Sequence, residues 1–274
     1  MLLSREVAFT IFGVDIYWYA VIITSAIILA LLLSFILVKK KKLNSDMPMD
    51  IFLAIIPLGI IFARLFSVLF SGVGIGAFFQ FRDGGLSIIG AVIGGVIGLV
   101  ILSLIKKKDY NFLMLADLVA SVLILAQAIG RWGNFVNQEV YGWQVIDANW
   151  QFFPFAVEVG GNWFLALFFY EFVLDLIGAI ILLCVYLKSK ITGLTTAIYL
   201  IYYGLIRLIL ENFRDSRFIL RFLGMPISQV ISGIFLISGV AIVVYIIYKA
   251  KKLEGNDQNK DNKSMASKTR QKSK

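Results

Sequence analysis

The chain has no histidine and a single cysteine, Cys184, among its 274 residues. Without histidine there is no Ser-His or Cys-His nucleophile pair, no imidazole general base and no His-rich metal site. One cysteine cannot build an extracellular disulfide framework, and Cys184, inside an apolar run, reads as a small apolar filler and not as a nucleophile. Charge is also scarce, at 16% of residues against about 25% in an ordinary soluble domain. The residues that are present instead are apolar. They make up 59% of the chain, mean hydropathy is +0.86, and 23 Phe exclude a disordered polymer. Such a chain belongs in a bilayer. The excess of 26 Lys and Arg over 17 Asp and Glu would suggest nucleic acid as a partner for a soluble protein, but the way it is distributed excludes that here.

A hydrocarbon core about 30 Å thick needs roughly 20 apolar residues per helix. Seven runs qualify, at 16–38, 51–71, 86–105, 112–130, 165–187, 193–213 and 226–248. The predicted fold is all-α, a polytopic membrane protein. Lysines follow the first, third, fifth and seventh runs (Lys39 to Lys42, Lys106 to Lys108, Lys188 with Lys190, and Lys249 onward), so all of them fall on one side. By the positive-inside rule that side is the cytoplasm, which puts the N-terminus out and the C-terminus in. The basic cluster follows the first run, so this run is expected to be a retained span and not a signal peptide. The opposite loops carry Arg82, Arg214, Arg217 and Arg221. A guanidinium is a planar fork suited to phosphate and carboxylate, which directs attention to the outward face. Residues 1–250 are read as one transmembrane domain. Its outward connection, 131–164, contains Trp132, Trp143, Trp150 and Trp163 and is expected to form an interfacial lid or flat helix. The basic tail 251–274 is expected to be disordered.

Ionisable groups at membrane depth cost roughly 2.5–3.5 kcal/mol each unless paired or solvated. Arg64, Arg131, Glu171, Asp175, Arg207 and Glu211 all raise that question. Tyr199, Tyr203, Arg207 and Glu211 lie four apart and form one polar stripe on a helix, with Arg214 a turn beyond. Alone, the stripe reads as an Arg207–Glu211 pair holding the bundle together. With Arg64 and Arg131 it gives three interior cations, more than Glu171, Glu211, Asp175 and Asp117 need if some carboxylates pair locally, and a bound anion fits. The segment 130–142, GRWGNFVNQEVYG, combines glycines that allow close backbone approach (Gly130, Gly133), a bidentate donor (Arg131) and amides (Asn134, Asn137, Gln138). It reads as a headgroup-binding turn or as plain interfacial loop. Gly90, Gly94 and Gly98 form a small-residue face for helix packing, and Gly84-Gly85 is a turn that can bring backbone close to a ligand.

GRWGNFVNQEVYG closely resembles the signature segment of the prolipoprotein diacylglyceryl transferase family, particularly in Gram-positive bacteria. Trp18-Tyr19, Ala63-Arg64-Leu65, RDGGLSIIG at 82–90, Phe169-Tyr170-Glu171 and YYGLIRLILENFRDS at 202–216 occur in that family's order and spacing, so the resemblance covers nearly all of 14–248. It implies seven helices in the bacterial cytoplasmic membrane, N-terminus out and C-terminus in. It further implies transfer of the diacylglyceryl group of phosphatidylglycerol to the lipobox cysteine of a prolipoprotein, with a thioether formed and glycerol phosphate released. No cofactor or metal is implied. Carried over by resemblance, Arg131, Arg207 and Glu211 are catalytic. Tyr19, Arg64, Gly85, Asn134, Asn137, Glu139, Glu171, Tyr203 and Arg214 bind substrate. The chain departs from the family at Ile89, where a His, or in many Gram-positive members a Tyr, is usual. Either the thiol loses its proton to another acceptor (the departing phosphate, Glu211 or Tyr203) or the chain is a phospholipid-binding paralogue without activity. A small transporter is a further alternative, but neither inverted repeats nor matched broken helices are evident.

Overall fold

The computed structural model describes residues 6–71, 75–79, 85, 87–222 and 224–272, with the backbone alone at 71, 75, 77, 222 and 253–272. Arg82 and Gly84 lie outside the described residues. Among those described, seven helices are long and apolar enough to cross a membrane: α1 Trp18–Lys41, α2 Met47–Ser71, α3 Ile88–Ile105, α4 Phe112–Val136, α5 Leu167–Lys188, α6 Leu194–Leu210 and α7 Ile227–Lys272. The chain is an all-α multi-pass membrane protein. Its outside is apolar, with Leu53, Leu104 and Ile237 among the most exposed side chains, and its buried set includes Arg64, Glu171, Asp175 and Glu211. This is the distribution expected when lipid, and not water, surrounds the bundle.

Two helix boundaries differ from those expected. The helix expected at 112–130 continues as α4 to Val136 and takes in half of the segment expected to be a turn. Gly133 stays helical because a bare backbone is needed there: a Cβ would sit 2.8 Å from Cδ2 of Tyr19 on α1. At the other end of the chain, α7 is helical to Lys272, where composition predicts a disordered tail. Backbone hydrogen bonding within a helix is local and needs no apolar face.

The lysine ends of the helices are tied together. Lys41 Nζ donates to the Ser189 carbonyl at 3.0 Å, and Lys106 Nζ and the Tyr110 hydroxyl share Asp50 at 2.6 and 2.9 Å. Burial and the Asp50 contact push the Tyr110 hydroxyl above its ordinary value. Asp117 was counted above among the interior acids, but it has a different task. From α4 it accepts hydrogen bonds from the Gly193 and Thr196 amides (2.6 and 2.8 Å) and the Thr196 hydroxyl (2.7 Å), capping the start of α6.

At the opposite, arginine-bearing end, β1 Val7–Ile11 and β2 Val14–Tyr17 form a hairpin that runs directly into α1. The connection from α4 to α5 is not a flat helix. After α4 it makes a short 3₁₀ turn at Ala148–Trp150 and a hairpin of β3 Ala156–Val159 with β4 Asn162–Leu165. Aromatic contacts hold this lid down: Tyr141 lies between Phe164 and Phe218 (ring centroids 4.4 and 4.8 Å), and Trp143 stands 5.4 Å from Phe213. Trp132 remains in α4, edge-on to Phe168 and Phe172 of α5.

The small-residue face behaves as expected. Cβ atoms at Gly90, Gly94 and Gly98 would run into the carbonyl oxygens of Phe62, Leu58 and Ala54, so α2 and α3 approach backbone to backbone. Gly94→Leu is therefore expected to destabilise the protein by about 1–3 kcal/mol, the usual cost of overpacking, and to lower the melting midpoint in detergent. Gly233→Leu on α7, where a Cβ meets nothing within 4 Å, should leave the midpoint unchanged or raise it.

Candidate active site

Three helices bring their polar residues to one point near the arginine-bearing end. Glu171, 1% exposed in the first turns of α5, places Oε2 2.7 Å from Arg131 Nη1 of α4 and Oε1 2.5 Å from Arg207 Nη1 of α6. Arg214, just past α6, adds a third guanidinium, with Nη2 3.1 Å from Glu171 Oε1. Arg207 Nη2 meets Glu211 Oε2 at 2.9 Å, and Arg214 Nε lies 3.4 Å from the same oxygen. Arg131 Nε reaches Asp175 Oδ2 at 3.3 Å, and its Nη2 donates to the Tyr203 hydroxyl at 3.2 Å. Tyr203 stacks on Tyr199 with centroids 5.7 Å apart, and Tyr199 exchanges hydrogen bonds with Gln127. The four-residue spacing on α6 thus forms one continuous polar line, as expected.

The charge count differs from the sequence-based one. Arg64 is buried but belongs elsewhere: its Nε donates to the Phe78 carbonyl at 3.1 Å and its Nη1 to the Gly85 carbonyl at 3.0 Å, at the junction of α2 with α3. Gly85, with φ +76°, holds this arginine. Around Glu171 the tally is three guanidinium groups (Arg131, Arg207, Arg214) against three carboxylates (Glu171, Asp175, Glu211), with no surplus of cations. Anion binding has to be argued from hydrogen bonds instead. A guanidinium carries five N–H groups; contacts inside the cluster use three at Arg131 and two at Arg207, so donors remain. Buried acceptors remain too: Asp175 Oδ1 has no hydrogen-bond partner, and Glu171 Oε2 has ion-pair contact without hydrogen-bond alignment. Buried polar atoms of native proteins are rarely left this way.

The signature segment wraps the Arg131 side of the cluster. Asn134 and Asn137 donate to Glu139 Oε1 at 3.1 and 3.3 Å. To turn Glu139 back onto its own helix, the chain adopts positive φ on both sides, +50° at Gln138 and +60° at Val140, a conformation that costs a β-branched residue energy. Tyr19 seats its ring on Gly133, two residues from Arg131. Beyond the membrane segment, burial and then neighbouring Arg207 hold Arg214 below its ordinary value, and a hydrogen bond from Arg217 holds Asp215 below the usual carboxylate range. Ile89 occupies the first turn of α3, half-buried.

Two members of the site were not assigned from sequence. Asp175 was noted only as an ionisable residue needing a partner, although it lies one turn from Glu171. Gln127 lies one turn before Arg131, and an amide in the middle of an apolar span was a usable signal.

Removing one charge from a balanced buried cluster is costly. Glu171→Gln leaves three guanidinium groups facing two carboxylates and is expected to lose about 3–5 kcal/mol. The test is a melting midpoint well below the parent's in detergent, together with a larger drop than that of Gln127→Leu.

Similarity to known proteins points the same way as the geometry. The family model for prolipoprotein diacylglyceryl transferase matches residues 6–245. A relative from Clostridium perfringens, phosphatidylglycerol–prolipoprotein diacylglyceryl transferase 1, is 36% identical over 257 residues, covering 90% of this chain and 97% of its own. Proteins with the corresponding name from Clostridium novyi and Finegoldia magna are 38% and 34% identical, covering 88% and 92% of this chain and 95% and 99% of their own. With the matched region running from the first hairpin through the arginine cluster and into α7, the chain belongs to the prolipoprotein diacylglyceryl transferase family.

Proposed function

We propose that the protein transfers the diacylglyceryl group of phosphatidylglycerol to the thiol of a lipobox cysteine in a prolipoprotein, in the bacterial cytoplasmic membrane, with the arginine-bearing face outward. The observation that carries the reading is the set of unused groups around Glu171. Arg131 and Arg207 keep N–H donors that suit a phosphate, and Asp175 and Glu171 keep acceptor atoms that suit the hydroxyls of a glycerol head. One ligand with an anionic phosphate and hydroxyl donors would satisfy both. Balanced ion pairs alone would not call for it.

The reaction is an alkyl transfer. The cysteine sulfur attacks the glycerol carbon bonded to phosphate, the C–O bond breaks, and a C–S bond forms. Glycerol phosphate leaves with the bonding pair, and the thiol proton ends on an oxygen acceptor. A free cysteine thiol, with a pKa near ~8.5, is mostly protonated at neutral pH, so the acceptor matters. Arg131 and Arg207 stabilise the negative charge growing on the departing phosphate, in a site where little water screens it. Glu211 sits between Arg207 and Arg214, and this pairing commits its charge to the two guanidinium groups. The departing phosphate, the Tyr203 hydroxyl, and the Asp175 Oδ1 and Glu171 Oε2 atoms are the remaining acceptors, and none requires a side chain at Ile89 able to take a proton. Tyr19, Asn134, Asn137, Glu139, Tyr203 and Arg214 surround the lipid head in this reading. Arg64 and Gly85 are hydrogen-bonded to each other at the α2–α3 junction.

Detergent-purified protein given phosphatidylglycerol and a lipobox peptide should add one diacylglyceryl mass to the peptide thiol. A parent protein that leaves the thiol unmodified is the inactive paralogue. Arg131→Ala would strip partners from Asp175 and Glu171, so Arg131→Lys is the cleaner variant. It keeps the charge and loses the fork, and turnover should fall about 10²-fold or more, with the protein still folded. Parental turnover in that variant would remove the phosphate clamp. Glu211→Gln should keep the shape of the pH–rate profile while lowering its height. Loss of the profile's acidic limb would reinstate Glu211 as the proton acceptor.

A further inference from the structure

A second concavity lies on the arginine-bearing side of the cluster. Its volume is about 400 Å³, and it is enclosed by the end of α6, the 212–221 loop, the first turn of α7 and the lid at Trp143 and Gln144. Glu211 and Arg214 form part of its wall. The same two residues contact Arg207 and Glu171, so the concavity adjoins the phosphate-binding arginines across one layer of ion pairs.

Its chemistry differs from that of the cluster. Arg214 contacts Glu171 and Glu211, Asp215 contacts Arg217, and Arg221 donates to the Gly224 carbonyl. The charges on the wall balance, Glu211 and Asp215 against Arg214 and Arg221, which suits a neutral ligand better than an anion. What it does offer is amides. Gln229 Nε2 donates to Asn212 Oδ1 at 3.3 Å and Gln144 Nε2 to Asn162 Oδ1 at 3.2 Å, which leaves both glutamines a carbonyl oxygen and a second amide hydrogen. A carboxamide pairs naturally with the N–H and C=O of a peptide unit. At about 30 Å³ per water, the space holds roughly a dozen waters, enough for a short stretch of chain.

We propose that this concavity, with Gln144 and Gln229 as its hydrogen-bonding groups and Trp143 as its wall, binds the main chain of the acceptor polypeptide beside the cysteine to be modified. The assignment rests on the transferase reading, which requires a peptide acceptor whose cysteine reaches the glycerol carbon bonded to phosphate. Binding through the main chain also fits an enzyme whose acceptors share a short motif and differ beyond it.

The test uses the full chain in detergent with phosphatidylglycerol and a lipobox peptide. Gln229→Leu and Gln144→Leu should each raise the KM for peptide about three- to tenfold, the range for one lost hydrogen bond, and the KM for phosphatidylglycerol should not move. An unchanged peptide KM in both variants overturns the proposal. So does a rise confined to the KM for phosphatidylglycerol, which would make the concavity a lipid-head site. A peptide with a photoactivatable residue beside the cysteine gives an answer that does not depend on variants or on turnover. Labelling of 143–144 or 212–229 supports the assignment, and labelling only elsewhere overturns it. If the parent protein fails to turn over, the transferase reading falls and the crosslink still decides the concavity.

Discussion

One carboxylate organises the interior. Glu171 receives guanidinium groups from α4, α6 and the segment after α6, and every other polar residue of the cluster is placed through one of those three. Lipid provides no apolar drive for helices to associate, because acyl chains are as apolar as leucine. A buried, mutually compensated set of charges is a strong reason for α4, α5 and α6 to meet in one register, since separating any pair would expose an unpaired ion to hydrocarbon. The same restriction leaves donors and acceptors pointing at a common space. Under the proposed transferase reading, holding the bundle together and offering a polar socket for a lipid head are one arrangement seen from two directions.

Apolar run length, lysine placement and the four-residue stripe of α6 were legible in the sequence because each is a local or periodic property. The Arg207–Glu211 contact follows from helix geometry alone. Relations between helices were not legible. Nothing local says that Arg64 turns to the carbonyls of Phe78 and Gly85, while Arg214, outside any span, joins Glu171. That exchange keeps the number of guanidinium groups at three, and Glu171, Asp175 and Glu211 balance them. Asp117 misled for the same reason: a carboxylate in an apolar run looks functional until its partners, the first amides of α6, are known.

Glycine caused the other misreading. In GRWGNFVNQEVYG, Gly130 and Gly133 suggest a turn, because glycine is the residue that turns demand. In a membrane bundle a glycine equally often marks where something presses on a helix, and here it is the ring of Tyr19. The real turn comes later, at residues 138 and 140, built by a glutamine and a valine in a conformation both resist. Composition marks the Trp-rich connection 131–164 as a lid. Its hairpin depends on the 156–165 pairing, which composition does not encode.

Asp117 at one end of α6 and the arginine cluster at the other have a joint consequence for motion. A helix pinned at both tips cannot slide like a piston, since displacement along its axis would break the cap and the ion pairs together. With both tips fixed, α6 holds the arginines of the cluster at a constant depth along the bundle.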